Sequence, residues 1–128
     1  MNKLMEATTV STQIFPTATT GKSGSAGVDM SQYKRAVAKL YAHRLPDAKG
    51  EGVITLSLYE NTATTPTGTL VTNAVATGSI TSASDVYLEV EVDETDLNNR
   101  YVYSYVASST ATQVAVTIDR GNARYEDV

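Results

Sequence analysis

Residues 86–92, Val-Tyr-Leu-Glu-Val-Glu-Val, alternate strictly between aliphatic side chains and polar or amphipathic ones. Successive side chains of a β-strand point to opposite faces, so this period of two predicts a strand with one dry face and one wet face. Residues 53–59 repeat the pattern with aliphatic residues on one face, and residues 113–118 repeat it again. The chain is therefore built mainly from half-buried strands.

Clusters of turn-forming residues separate these segments, at 64–68, 78–85 and 93–99. Shorter strand-like runs, 70–75 and 100–107, lie between the clusters. Many short strands with turn signals between them are typical of antiparallel sandwiches and jelly rolls. We therefore predict an all-β, single-domain antiparallel β-sandwich with a jelly-roll-like arrangement.

Residues 33–45 fit two periods. Apolar residues recur at helical spacing from Tyr33 to Tyr41, and Asp29 followed by Gln32 resembles a helix-capping pair. The same residues also alternate at the period of a strand. We interpret the segment as a strand, because the rest of the chain after it is strand-like and needs a pairing partner.

The first region, residues 7–15, carries Val10, Ile14 and Phe15 as its only large apolar residues among mainly Thr and Ser. Pro16 lacks a backbone N–H and closes the run. This composition fits an edge strand or an extended N-terminal arm. Such an arm would add a strand to the open sheet edge of a neighbouring molecule, with the three apolar residues as anchors.

Residues 21–27 are rich in Gly and Ser and offer little side chain to bury, so we predict a flexible loop there. The expected organisation is an arm with its flexible loop over residues 1–27 and a β-sandwich domain over residues 28–128. Gly21-Lys22-Ser23 resembles the end of a phosphate-binding loop, but Pro16 stands where that motif needs its first Gly.

The composition excludes several classes of protein. A chain of 128 residues is about one domain, and it has no Cys for disulfides, thiolate catalysis or the usual zinc sites. A formal net charge of -4 gives no positive field for nucleic acid. We expect no signal peptide, no membrane partner and no nucleic-acid partner.

No arrangement of residues predicts catalysis, a cofactor or a metal site. His43 is the only imidazole, and the sequence identifies no nucleophile or orienting group beside it. Glu89 and Glu91 share a strand face, where water is expected to keep both ionised. The acidic turn 93–96 misses the calcium-loop spacing because Leu97 occupies a ligand position. The chain is not expected to be an enzyme.

Tyr101, Tyr103 and Tyr105 share one face of a predicted strand. Tyrosine joins a large apolar body to a polar tip, which suits a protein interface or a sugar-stacking surface. The alternative is that this row packs in the core or under a loop. Candidate contact residues toward the end of the chain are those of types frequent at interface hot spots: Arg120, Arg124 and Tyr125.

Three segments, residues 27–36, 52–60 and 85–92, together with the Thr-rich start, resemble the small decoration or cement proteins of tailed bacteriophage capsids. The resemblance implies a β-sandwich that docks on the outside of the shell of the major capsid protein, often as a homotrimer. It implies a structural virion protein made in the host cytoplasm. It assigns no individual contact residues.

Two other functions stay open at this point. The main alternative is a carbohydrate-binding or receptor-binding module that uses the tyrosine face, although the chain has no Trp. A small hydrolase using Glu89 and Glu91 comes last.

Overall fold

The computed structural model describes residues 8–44, 52–81 and 85–123. Within these ranges the secondary structure is entirely β, as the alternating patterns predicted. The strands are β1 (Thr8–Ser23), β2 (Val28–Asp29), β3 (Tyr33–Arg44), β4 (Gly52–Asn61), β5 (Thr69–Ile80), β6 (Val86–Asp93) and β7 (Tyr101–Ala123).

The long strand β7 organises the whole fold. Its first part, residues 101–108, pairs with β4, and its second part, from Thr112 to Ala123, pairs with β3. On the side of β7 that pairs with β1, residues 108–111 lie opposite the single residue Thr20, so β7 carries a large bulge there. Bulges bend a strand and increase its twist. β7 therefore turns the corner between the two layers of the sandwich.

The sequence predicted two strands where the structure has one, because the Ser and Thr residues at this corner resemble a connecting loop. Instead their hydroxyls satisfy the backbone of the bulge. Ser108 Oγ donates to Thr110 O at 2.7 Å, and Thr112 Oγ1 donates to the same oxygen at 2.8 Å. The chain stays in the sheet on both sides of the corner.

All the strand pairings are antiparallel, and the order is β5-β4-β7-β3-β6, with β1 and β2 also paired to β7. The sheet folds over into a nearly closed, barrel-like sandwich. At the seam, β5 packs on β6, and an added Cβ at Gly78 would lie 3.0 Å from the Val86 side chain. A glycine here allows the two end strands to approach closely.

The prediction of a strand for residues 33–45 is confirmed over Tyr33–Arg44. Ala36, Ala38, Leu40 and Ala42 are buried, and Lys39, Tyr41 and His43 face outward. The faces predicted for the other alternating strands are also confirmed. The core contains the aliphatic side chains of β4, β6 and β7: Ile54, Leu56, Leu58, Val90, Val92, Val114, Val116 and Ile118.

The first region differs from the expected arm. Residues 8–23 form β1, which pairs with β7 inside the same sheet, and Ile14 is 2% exposed within the core. A register shift between Ile14 and Thr17 spans Pro16, so β1 accommodates a residue without an N–H at a sheet edge. β1 is thus the edge strand of the two alternatives that the composition left open.

The Gly/Ser segment after β1 is held by hydrogen bonds, where the sequence predicted a flexible loop. Gly24 N donates to Ser104 O at 2.7 Å, and Ser25 N donates to Gln13 O at 2.9 Å. A Cβ at Gly24 would overlap the amide of Gln13. Glycine is present because the backbone passes close to that buried side chain.

Candidate binding surfaces

The row of tyrosines predicted on β7 is packed at its centre. Tyr103 is only 4% exposed, and its ring stacks on Tyr59 of β4 with the centroids 5.6 Å apart. Its hydroxyl accepts a hydrogen bond from Gly68 N at 2.7 Å. The turn between β4 and β5 therefore covers Tyr103. This matches the alternative in which the row packs under a loop.

The two other members of the row are partly buried. Tyr105 meets Tyr59 edge-on, with the centroids 6.2 Å apart. Tyr101 lies under the guanidinium of Arg100, 5.2 Å from the ring centroid. With Tyr103 covered, Tyr101 and Tyr105 do not form one continuous stacking platform.

Arg100 forms a bidentate ion pair with Asp29. Its Nε and Nη2 donate to the two oxygens of Asp29, at 2.9 and 2.7 Å. This charge-assisted pair holds the pKa of Asp29 well below its usual range, and the hydrogen bond from Ser31 N at 2.8 Å adds to the shift. The pair fastens β2 to the loop before β7.

Arg120, expected at an interface, acts inside the fold. Nη1 donates to Asp29 O at 2.8 Å, Nη2 donates to Ser11 Oγ at 3.3 Å, and the guanidinium lies 4.8 Å from the ring centroid of Tyr33. Its Nε is buried without a hydrogen-bond partner. Arg120 therefore ties three strands together at one end of the sandwich. Arg124 and Tyr125 lie outside the described residues.

The three apolar residues of the first region have different surroundings. Val10 is 62% exposed on β1, whereas Ile14 belongs to the core. For Phe15 the structure describes the backbone, which lies in β1. Of the predicted anchors, Val10 is the one that the structure shows presented to solvent.

A group of side chains that the sequence did not bring together lies on the outer face of β3 and β6. Tyr41 and Tyr87 are direct partners in the register, and their rings meet edge to face with the centroids 5.0 Å apart. Tyr87 is 72% exposed and Tyr41 is 38% exposed. With His43 and Asp85 they form a group that we name the outer tyrosine patch.

Asp85 organises the polar part of the outer tyrosine patch. Tyr41 donates its hydroxyl hydrogen to Oδ2 at 2.8 Å, and His43 Nδ1 lies 2.6 Å from Oδ1. An ionised carboxylate only accepts hydrogen bonds, so Nδ1 carries the proton. The bond from His43, followed by that from Tyr41, lowers the pKa of Asp85, and Asp85 in turn raises the pKa of Tyr41.

The sequence contained part of the signal for this patch. Alternation places positions 41 and 43 on the outer face of β3 and position 87 on the outer face of β6. The register that sets Tyr41 opposite Tyr87 is a long-range property, and Asp85 fell within a predicted connection. Periodicity alone therefore predicts the outer faces of β3 and β6 but not the contacts within the outer tyrosine patch.

The carboxylates considered for catalysis lie in ordinary surface positions. Glu89 and Glu91 are exposed, Glu91 lies 3.5 Å from Arg35, and Glu89 stands opposite Lys39 in the register. Neither has the apolar pocket that a general acid requires.

The acidic turn after β6 uses its carboxylates to hold its own backbone. Asp93 Oδ1 accepts from the hydroxyl of Thr95 and from Thr95 N, the latter at 2.9 Å, and these bonds lower the pKa of Asp93. Asp96 Oδ2 accepts from Asp93 N at 2.9 Å. Across residues 8–44, 52–81 and 85–123, no three acidic or imidazole side chains are grouped to hold a metal ion.

Buried Glu60 holds the loop before β7 in the same way. Its Oε1 accepts from Asn98 N at 2.6 Å and from Asn99 N at 2.7 Å. This loop lines a shallow cleft of about 270 Å³ together with Met30 and Arg100.

In the part of the chain that is described, no helix has the length and hydropathy needed to cross a membrane.

No protein-family model matches the sequence, and no curated protein sequence matches it significantly. Solved structures share its fold. The PBSX exported protein XepA superposes with a TM-score of 0.59 at 20% identity, over 94% of this chain and 39% of XepA. A chain of the IBDV viral particle gives 0.57 at 11% identity, over 89% of this chain and 31% of its own length.

The CBM22-1 xylan-binding domain from Paenibacillus barcinonensis gives a TM-score of 0.51 at 9% identity, over 89% of this chain and 85% of that domain. This chain therefore spans well under half of XepA and of the viral-particle chain. At these identities the likeness establishes a shared β-sandwich fold. That fold occurs in a viral particle, in an exported protein and in a xylan-binding domain.

Proposed function

We propose that this chain is a structural virion protein that binds the outside of a phage capsid and stabilises the lattice of the major capsid protein. The observation that carries the proposal is the β-sandwich itself, which matches the architecture implied by the resemblance to capsid decoration proteins. The same architecture occurs in a chain of the IBDV viral particle. Membership of a homotrimer is part of the proposal.

The internal contacts of charged side chains support a structural role. Charged side chains such as Asp29, Arg120 and Glu60 are engaged in fastening strands and loops to each other. A protein repeated many times on a shell gains from avidity, so each copy needs only a weak contact. A rigid sandwich with a small docking surface meets that requirement.

If β1 contacts a capsid, it does so through an exposed side chain and not as an arm that adds a strand to a neighbour. β1 already pairs with β7, so the side chain that it offers to a neighbour is Val10 on its exposed surface. Deleting the first region would also remove Ile14 from the core, so loss of binding after deletion would have two explanations. A point substitution at Val10 is the sharper test of this contact.

The central experiment is cosedimentation of the purified chain with undecorated phage capsids, followed by image reconstruction of the particles. The expected result is saturable binding with density on the outside of the shell, and a solution mass of three copies. A chain that stays in the supernatant at every concentration contradicts the proposal. A monomeric mass contradicts the trimer alone.

Val10→Ser is expected to weaken capsid binding without changing the unfolding midpoint. Val75→Ser is the matched control, because Val75 is another exposed aliphatic residue on a different strand, β5. Equal binding of the two variants would remove β1 from the interface.

The carbohydrate-binding alternative, as the sequence framed it, used the tyrosine row of β7. The structure buries Tyr103 at the centre of that row. Tyr103→Ala is therefore not a test of sugar binding, because it would disturb the fold whichever function the chain has.

A further inference from the structure

We infer that the outer tyrosine patch is a binding site for a neutral saccharide, with the ring of Tyr87 as the stacking surface and Asp85 and His43 as the hydrogen-bonding groups. This goes beyond attachment to a capsid. It places a second recognition surface on β3 and β6, separated by β7 from Val10 on β1.

The exposure of the two rings is the first observation. Tyr87 is the most exposed of the large apolar side chains in the described ranges, at 72%. Its partner Tyr41 packs against it edge to face, and the hydroxyl of Tyr41 is fixed by Asp85. The patch therefore presents an aromatic surface on two paired strands, and the hydrogen bond to Asp85 limits the freedom of Tyr41 before a ligand binds.

The polar groups at the edge of the rings are the second observation. His43 donates through Nδ1 to Asp85, which leaves Nε2 as the other hydrogen-bonding atom of the imidazole. The carboxylate of Asp85 has further lone pairs, and the hydroxyl of Tyr87 is a donor and an acceptor. These groups accept hydrogen bonds from hydroxyls, so the ligand must combine an apolar face with a rim of hydroxyls. A pyranose ring has this form.

Charge and size favour a saccharide over other ligands. Asp85 and Glu89 are acidic and the chain has a net charge of -4, which disfavours nucleic acids and anionic sugars. The exposed neighbours Lys39 and Glu89 border the rings with charges on the same face. A protein interface buries about 800 Å² on each partner around an uncharged centre. Two rings bordered by charges match one or two sugar units better.

The test uses the full chain on an array of neutral gluco-, manno- and galacto-oligosaccharides, with sialylated and sulfated oligosaccharides as the anionic set. Positive ligands are then titrated by NMR. A single shallow stacking surface predicts a dissociation constant on the order of 1 mM. Tyr87→Ala is expected to weaken binding by about tenfold or more.

Two further variants locate the site. Asp85→Asn is expected to weaken binding by loss of the carboxylate acceptor, and Val53→Ala, an exposed aliphatic position on β4, is the control that keeps full binding. Circular dichroism and unfolding midpoints show that each variant is folded.

Three results overturn the inference. They are the absence of binding to every neutral oligosaccharide at millimolar concentration, binding that survives Tyr87→Ala, and binding confined to the anionic set. If Tyr87→Ala instead abolishes capsid cosedimentation, the patch is a protein contact, and the inference fails while the proposed capsid function stands. If capsid binding fails and sugar binding holds, the inference stands and the proposed capsid function fails.

Discussion

Tyr103 and Tyr87 occupy the same kind of position, the outer face of an alternating strand, yet one is covered and the other is open. The turn between β4 and β5 lies over Tyr103 and donates Gly68 N to its hydroxyl. Among the described residues no loop covers Tyr87 in this way, and its side chain is 72% exposed. Alternation decides the face of a residue, and the loops decide whether that face is surface.

Replacing each tyrosine with alanine should give the largest difference in the free energy of unfolding between the two regions. Tyr103→Ala removes a buried ring stacked on Tyr59 and is expected to lower the free energy of unfolding by about 3–5 kcal/mol. Tyr87→Ala is expected to cost under about 1 kcal/mol, the value of a cross-strand pair. Urea unfolding of both variants measures the difference, and similar losses would show that the two environments are equivalent.

Removal of the hydroxyl alone is the next test. Tyr103→Phe keeps the stacked ring but leaves Gly68 N without its acceptor, so a loss of about 1 kcal/mol is expected. Tyr87→Phe removes a hydroxyl at the exposed patch and serves as the control, with an unchanged midpoint expected. A stable Tyr103→Phe variant would mean that water replaces the lost hydrogen bond.

The two carboxylates Asp29 and Asp85 extend the comparison to pH. Asp29 has a lowered pKa in the folded state, so its stabilisation is present above the ordinary pKa of the unfolded chain and is lost as pH falls through the folded value. Asp29→Asn is expected to lose about 1 kcal/mol or less at pH 7, because the pair with Arg100 is partly exposed. Urea unfolding between pH 7 and acid should show the difference shrinking, and a difference independent of pH would contradict this assignment.

The smallest expected effect concerns Asp85. Its pKa is lowered first by His43 and then by Tyr41, so His43→Ala should raise that pKa toward its ordinary value more than Tyr41→Phe does. The unfolding midpoint should change little, because the group is exposed to solvent. Carboxyl NMR titration of the three proteins measures the order, and the reverse order would mean that Tyr41 is the main partner.

The sequence predicted the local features of this fold well, because they depend on a period of two. The burial of Ala36, Leu40 and Val90 and the exposure of Glu89 follow directly from alternation. Pairing order and register do not, because they join residues far apart in the chain. This is why β7 was divided at its bulge and why the partnership of Tyr41 with Tyr87 was not found.

The candidate surfaces show the same limit more sharply. Arg120 and Tyr103 are residue types frequent at interfaces, and the structure employs both inside the fold. Composition does not distinguish a guanidinium that binds a partner from one that holds its own strands. The exposed position of Val10 and the covered position of Ile14, both in β1, likewise required the sheet to be known.

The central place of β7 also determines when the protein can acquire its structure during synthesis. β1, β2, β3 and β4 all pair with β7, which follows them in the chain. Until residues 101–123 leave the ribosome, the earlier strands have only the β4–β5 and β3–β6 pairings and expose apolar faces. Folding should therefore be late and cooperative, with the slow rates typical of long-range β pairing. Nascent chains arrested before Tyr101 should be sensitive to protease, and extension past Ala123 should protect them.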